Sequence, residues 1–259
     1  MRKYWVAGTA AMLVLALAAI AIAQTAVTNT YDVDGSTLPA KPGSKKNPIP
    51  IQINFDYTVG EVENRRPSPV EKYSIRFGGT QVNTNVAARC RRSVIDSEGP
   101  DGCPAGSKVG SGYIENATGQ TSNPNDTSIQ CNAKVTVINE GDRKANIYVE
   151  GSPSATDPRE KCAIALAAGI PANFVRRGNE TALEFTVPES LRHPGTPNLS
   201  NAVKRVQSRV RRVTKRIRGK RRGYFEAIGG CRNGSRLITV VFTPESGPQA
   251  TAQHRAPCR

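Results

Sequence analysis

The stretch Ile49-Pro50-Ile51-Gln52-Ile53-Asn54-Phe55-Asp56-Tyr57-Thr58-Val59 decides the fold class of this chain. Its large apolar side chains occupy every second position, which is the period of a β-strand with one buried face. Shorter alternations follow at 73–77 and 183–187. The first ends at Gly78-Gly79 and the second at Pro188, a residue that cannot donate a ladder hydrogen bond. The same pattern therefore recurs along the chain.

More strands are predicted on either side of these segments. They lie at 135–137 and 147–149, joined by the polar turn 139–142, and at 163–170, 224–228 and 237–243. About eight short strands separated by Gly, Pro and Asn predict an all-β fold, an antiparallel β-sandwich over residues 49–259. The Pro-, Gly- and Lys-rich residues 24–48 are predicted to be a flexible lead-in, and the Gly-, Ser- and Asn-rich residues 97–128 a loop around a disulfide.

Residues 1–23 have the pattern of a signal peptide. Arg2 and Lys3 precede an uncharged apolar run over 6–22, and Ala21-Ile22-Ala23 supplies the small-x-small cleavage pattern. An uncleaved membrane anchor is the competing interpretation, because the run approaches the length that spans a bilayer. No second long apolar segment follows, so the prediction is a secreted protein, extracellular or associated with the cell wall, without a transmembrane segment after signal removal.

The cysteines agree with export. All six lie after residue 23, and an even number of cysteines outside a reducing compartment predicts disulfides. Six cysteines allow 15 pairings, and the sequence alone does not choose among them. The pairing that we expect is Cys90–Cys103, Cys131–Cys162 and Cys231–Cys258, because it closes short or medium loops without crossing. A zinc site is disfavoured because no two cysteines have the close spacing that zinc sites use, and His193 and His254 are isolated. No metal and no cofactor are expected.

Most of the net charge of +15 comes from one short segment, the basic element 200–222. Outside 204–222, residues 24–259 hold 23 basic and 21 acidic side chains. The segment itself holds 11 basic side chains and no acidic one, namely Lys204, Arg205, Arg209, Arg211, Arg212, Lys215, Arg216, Arg218, Lys220, Arg221 and Arg222. These residues are the candidate polyanion-binding site.

Two structures compete for the basic element. Val203, Val206, Val210, Val213 and Ile217 are spaced as on one face of an α-helix, which favours a basic amphipathic helix. All five are β-branched, which lowers helix propensity, and like charges four residues apart repel one another. A long β-ribbon is therefore the alternative, and the sequence leaves both open.

A strongly basic surface attracts polyanions, and outside a cell the partner would be an anionic wall polymer or another polyanion. Residues 194–223 contain no aromatic side chain, which disfavours a dedicated reader of single-stranded nucleic acid. The alternative is a solvated face without a ligand, as in a purely structural envelope protein. An exported hydrolase of cell-wall glycans is a further alternative, with a carboxylate pair such as Glu61 and Glu63.

Several motifs resemble a family of uncharacterised secreted proteins of high-GC soil actinobacteria. The residues are Cys103-Pro104-Ala105-Gly106-Ser107-Lys108-Val109-Gly110-Ser111-Gly112, then Gly223-Tyr224-Phe225-Glu226-Ala227, Cys231, Phe242-Thr243 and Pro257-Cys258, with Cys90 upstream. The resemblance implies export and a β architecture, with no assigned activity and no catalytic residues. It also implies that the stretch before Gly223 is strand rather than helix. The combined expectation is a secreted, non-catalytic protein of the cell envelope or extracellular space.

Overall fold

The computed structural model describes residues 27–195 and 198–259, so the predicted signal peptide 1–23 lies outside the described residues. Within them the strands are β1 (Asn29–Leu38), β2 (Ile49–Glu61), β3 (Val70–Gly78), β4 (Thr80–Val82), β5 (Lys108–Gln120), β6 (Ile129–Gln130), β7 (Ala133–Gly141), β8 (Lys144–Gly151), β9 (Leu166–Arg177), β10 (Glu180–Thr186), β11 (Leu199–Val210), β12 (Thr214–Ile217), β13 (Lys220–Gly223), β14 (Phe225–Ala227), β15 (Cys231–Arg232), β16 (Ser235–Pro244) and β17 (Ala250–Pro257). Two short helices, α1 (Arg92–Glu98) and α2 (Glu189–Arg192), join them. The prediction of an all-β fold is confirmed.

Strand β2 supplies the central part of the core. Ile51, Ile53, Phe55, Tyr57 and Val59 are all buried, whereas the residues between them are more exposed. Each side chain of this size stabilises the folded state by about 1.5–3 kcal/mol when it is removed from water. The alternating pattern therefore places the buried face as the sequence predicts.

A single antiparallel sheet of 15 strands holds most of the described chain. Its order is β15-β16-β3-β10-β9-β8-β7-β5-β11-β2-β14-β4, with β1 paired to β2, β17 to β16 and β6 to β5. Strands β12 and β13 form a separate two-stranded sheet. The antiparallel pairing that the sequence predicts is confirmed.

The two flanks of this sheet come together. The rings of Tyr31 on β1 and Phe242 on β16 stack with centroids 4.2 Å apart. Gly35 on β1 lies so close to β16 that a Cβ there would be 2.8 Å from Cδ1 of Ile238. His254 on β17 also pairs with Asp34 at 3.1 Å. The sheet therefore curls back, and one of its faces surrounds a shared interior.

The prediction of a flexible lead-in over 24–48 is wrong for residues 29–38. These residues form β1, which pairs with β2 along its whole length, from Asn29 opposite Glu61 to Leu38 opposite Gln52. Pairing satisfies the backbone groups of β1, and Val33 is buried in the core. The prediction of a loop rested on Pro, Gly and Lys, and nearly all of these residues lie after Leu38, in 39–48.

The loop predicted over 97–128 is also wrong for residues 108–120. Residues 108–120 form β5, a central strand that pairs with both β7 and β11. Gly112 permits a close approach to β11, since a Cβ there would lie 2.2 Å from the carbonyl oxygen of Gln207. The glycines of β5 therefore allow close packing between strands and do not form a turn.

All six cysteines are paired as expected. The bonds are Cys90–Cys103, Cys131–Cys162 and Cys231–Cys258, which close loops with sequence separations of 13, 31 and 27 residues. No cysteine among the described residues is free. Each bond restricts the unfolded chain and is expected to add about 2–4 kcal/mol of stability.

Candidate functional site

The basic element 200–222 is strand and hairpin, and the helix alternative is wrong. Residues up to Val210 belong to β11, which lies between β2 and β5 and pairs with both. Residues after it form the antiparallel hairpin of β12 and β13. Pairing on both sides of β11 satisfies its backbone groups, and β-branched side chains fit a pleated surface better than a helix.

A tight turn shapes the hairpin. Only Arg218 and Gly219 separate β12 from β13, and both have positive φ angles, 49° and 76°. Two positive φ angles are typical of the type I′ turn, whose twist matches that of paired strands. Val213 and Ile217 pack against the main core cluster, so the hairpin is held against the body of the protein. We call residues 211–222 the basic hairpin.

The register of the basic hairpin brings like charges together. Lys215 lies opposite Arg222, Arg216 opposite Arg221, and Ile217 opposite Lys220. Directly opposite side chains on antiparallel strands have Cβ atoms about 4.5–5.5 Å apart, and like charges at that distance destabilise the pair. The basic hairpin therefore carries repulsion that a bound anion would relieve.

Most of the predicted site residues have no acidic partner. Within 27–195 and 198–259, Arg205 pairs with Asp56 at 2.6 Å and Arg222 with Glu226 at 2.9 Å. The other nine form no salt bridge among the described residues: Lys204, Arg209, Arg211, Arg212, Lys215, Arg216, Arg218, Lys220 and Arg221. Arg211 donates to the carbonyl oxygen of Lys108, and Arg221 donates to Oγ1 of Thr214 at 3.2 Å.

The structure separates the beginning of the predicted site from its end. Lys204 lies at a bulge of β11 and Arg205 beside Asp56, whereas the basic hairpin begins only after Val210. At about 3.3 Å per residue, Arg205 is on the order of 17 Å from Val210 along the strand. Lys204 and Arg205 therefore do not belong to the surface that the basic hairpin forms.

A buried carboxylate fixes the base of the basic hairpin. Glu226 is fully buried and accepts hydrogen bonds from Arg222 Nε at 2.9 Å, the Gly223 amide at 2.9 Å, Gln81 Nε2 at 2.6 Å and Asn83 Nδ2 at 2.8 Å. Burial opposes ionisation, but these hydrogen bonds outweigh it and lower the pKa of Glu226. The carboxylate is therefore ionised at neutral pH and holds β13 against β4 and β14.

Glu226 is the residue that sequence reasoning missed. The available signal was an isolated acid between Phe225 and Ala227, both apolar and both buried. Its partners Gln81 and Asn83 lie about 145 positions earlier in the chain, and only the fold brings them to the hairpin.

The carboxylate pair Glu61 and Glu63 shares one guanidinium. Arg65 contacts Glu61 Oε1 at 2.9 Å and Glu63 Oε2 at 3.2 Å. The hydrogen bond from Arg65 is the largest of the effects that lower the pKa of Glu61 to about 2. A carboxyl group with that pKa is ionised at neutral pH, which disfavours Glu61 as the general acid of a glycosidase.

The two histidines have separate partners. His193 Nδ1 lies 2.8 Å from the Leu199 carbonyl oxygen, and Nε2 lies 3.0 Å from Glu245 Oε1, which Arg192 also contacts. Both ring nitrogens therefore face acceptors, which leaves neither for a nucleophile.

In the described part of the chain, no cluster of three or more His, Cys, Asp or Glu could hold a metal ion. No helix within those residues is long and apolar enough to cross a membrane.

Comparison with known proteins adds little to this geometry. No protein-family model matches the chain, and no curated protein matches it. One similar solved structure is described as AvmM, which catalyses macrocyclization in alchivemycin A biosynthesis. It is 10% identical, with 88% of each chain covered and a TM-score of 0.24.

Proposed function

We propose that the protein is an exported, non-catalytic β protein that binds an anionic polymer through the basic hairpin. One observation carries the proposal. Lys215, Arg216, Arg218, Lys220 and Arg221 are exposed on two short paired strands and the turn between them, and none has a carboxylate partner among the described residues.

The arrangement suits a polymer better than a single small anion. Cross-strand neighbours are about 5 Å apart, and the next residue on the same face lies about 7 Å further along the strand. A chain with a charge on every unit can contact several of these cations at once. Each contact releases condensed counterions, so the affinity falls steeply as the salt concentration rises.

Other features support an extracellular partner without a nucleic-acid reading role. Three disulfides are typical of an oxidising compartment, and residues 1–23 carry the predicted export signal. The aromatic residue nearest in sequence to the basic hairpin is Tyr224, which is fully buried and offers no stacking surface. An anionic cell-wall polymer is therefore the partner that we propose.

The test compares two variants of equal charge. In the hairpin variant, Lys215, Arg216, Arg218, Lys220 and Arg221 are replaced by Gln. In the control variant, five other exposed cations without salt bridges are replaced by Gln: Lys45, Lys46, Arg91, Arg232 and Arg255. Retention on a heparin column or on purified wall polymer is measured against a salt gradient.

We expect the hairpin variant to elute at much lower salt than the control variant. Neutralising five contacts should lower the slope of log affinity against log salt by about 3.5–4.5. If the two variants elute together, net charge alone explains retention and the proposal is wrong. Unchanged retention of both would instead favour a purely structural protein whose basic hairpin serves solubility.

A further inference from the structure

The interior of the curled sheet is not completely filled. The inward faces of the strands surround a cavity of about 130 Å³, lined mainly by apolar side chains such as Ile53, Phe55, Val137, Ile147, Ile170 and Phe174. Protein interiors are usually packed as densely as organic crystals, with few voids larger than a water molecule. A cavity of this size is therefore an unusual feature for a β protein whose core is otherwise well packed.

The cavity wall includes side chains that are only partly buried although they face inward. Ile114, Ile147, Leu183 and Phe185 pack against the core clusters, yet each retains accessible surface. All four line the cavity. Apolar surface left open in the interior lowers stability, so a molecule that fills it would bind through the surface it removes from water.

A hydroxyl group without a partner also lines the cavity. Tyr224 is fully buried, and its Oη has no hydrogen-bond partner in the structure. Its ring packs edge-on against Phe174 and Phe225, with centroids 6.2 Å and 5.7 Å away. Burial raises the pKa of Tyr224, so the hydroxyl stays protonated and can both donate and accept. A buried hydroxyl group without a hydrogen-bond partner destabilises the folded state, and a partner would remove that penalty.

Two further unpartnered atoms line the cavity: Oη of Tyr73 and, toward the other end, Oδ1 of Asn116. Asn116 donates through Nδ2 to the Cys131 carbonyl oxygen at 2.7 Å, but its Oδ1 has no partner. Asn116 pairs with Val203 on β11, whereas the amide of Tyr224 bonds to Val213, ten positions further along the chain. Asn116 therefore lies too far from Tyr224 for one small ligand to reach both.

We propose that the cavity binds a small aromatic or cyclic molecule of single-ring size whose hydroxyl group hydrogen-bonds to Tyr224. An apolar cavity of about 150 Å³ lined by Leu, Ile and Phe accommodates benzene, so a free volume of about 130 Å³ limits the ligand to a single ring at most. The hydroxyl group of the ligand would satisfy one of the oxygens that the fold leaves unpaired, the Oη of Tyr224. This site is independent of the basic hairpin and of its proposed polymer.

The probes are p-cresol and toluene, which differ by one hydroxyl group. Binding of each to the full chain is measured by calorimetric titration and by saturation-transfer NMR, for the wild type and for Tyr224→Phe. The matched control is Tyr148→Phe, which removes the same group from a tyrosine of β8 that does not line the cavity. Comparing the ratio of the two affinities cancels the difference in their hydration.

We expect both probes to bind the wild type, and Tyr224→Phe to lower the ratio of p-cresol to toluene affinity about threefold to tenfold. Tyr148→Phe should leave the ratio unchanged. Ile147→Phe, which adds volume at the cavity wall, should weaken both probes; its folding is checked by circular dichroism. Absence of binding by either probe, or an equal ratio in wild type and Tyr224→Phe, would overturn the proposal.

Discussion

Arg216 lies directly opposite Arg221 on the two strands of the basic hairpin, so two guanidinium groups share one face without a carboxylate between them. Such a pair destabilises an isolated ribbon, because opposite positions on antiparallel strands are close together. The basic hairpin is nevertheless held in place by Val213 and Ile217 against the core and by Glu226 at its base. Its charges can therefore remain close together in the free protein.

Replacing Arg221 with Glu should stabilise the protein and weaken polymer binding. The change converts the repulsion of Arg216 into an attraction, with an expected gain of a few tenths of a kcal/mol in the free energy of unfolding. Urea unfolding and elution from heparin measure the two effects. Arg221→Gln is the control, and its stability should lie between that of the wild type and that of Arg221→Glu. A less stable Arg221→Glu protein would contradict the assigned register.

Glu226→Gln should destabilise the protein by about 2–3 kcal/mol. The substitution leaves the partly exposed guanidinium of Arg222 without its carboxylate and turns an amide NH2 donor toward other donors. Urea unfolding measures the loss. The double variant with Arg222→Met should recover part of it, since no unpaired charge then remains. If the double variant is as unstable as Glu226→Gln alone, Glu226 stabilises the fold through its hydrogen bonds with Gln81 and Asn83 instead.

Acid should destabilise the protein over a defined pH range. Glu61, bonded to Arg65, has a pKa of about 2, and Asp126, bonded to the Gln120 amide, also has a pKa of about 2. Both lie below the usual values of about 4 for unfolded chains. The unfolded state then binds more protons, so stability is complete above about pH 5 and falls as the pH approaches 2.

Denaturant unfolding at several pH values checks this dependence. Glu61→Gln should lower stability at neutral pH and flatten the fall between pH 5 and 2. Asp101→Asn, at an exposed surface position, should leave the pH profile unchanged. A profile with its steepest fall above pH 6 would point to other titrating groups.

The disulfide between Cys131 and Cys162 joins the chain just before β7 to the chain just before β9. Its removal should lower the stability of the fold. Replacing both residues with Ala should lower the free energy of unfolding by about 2–4 kcal/mol, since the unfolded chain gains freedom. Urea unfolding measures the change. Non-reducing peptide mapping of the wild type should recover all three bonds and no free thiol. Any other pairing would contradict the structure.

The fold class was predictable because β2 repeats its apolar residues every second position and is buried on that face. The expected cysteine pairing is confirmed, although the sequence alone allows 15 pairings and loop length only favours this one. The secondary structure of the basic element was harder to predict from the sequence, because a bulge between Val203 and Arg205 shifts the strand by one residue. Val203 and Val206 therefore share a face although they are three positions apart, and the bend after Val210 completes a spacing that imitates a helix.

Other parts of the structure depend on contacts that are distant in sequence. Strand β5 was missed because its glycines predict turns, whereas pairing on both sides makes it a strand. The cavity and the unpaired hydroxyl of Tyr224 arise only when strands from the whole chain meet. A periodic pattern in one segment carries no information about such volumes.

The meeting of β1 with β16 and β17 has a consequence for the order of folding. Tyr31 finds its stacking partner Phe242 only after more than 200 further residues have been made. The curled sheet closes around its interior only when its earliest and latest strands are together. A polypeptide emerging from a ribosome or a translocation channel therefore cannot bury its apolar face until almost all of it has emerged. During that interval the exposed surface would be a substrate for chaperones.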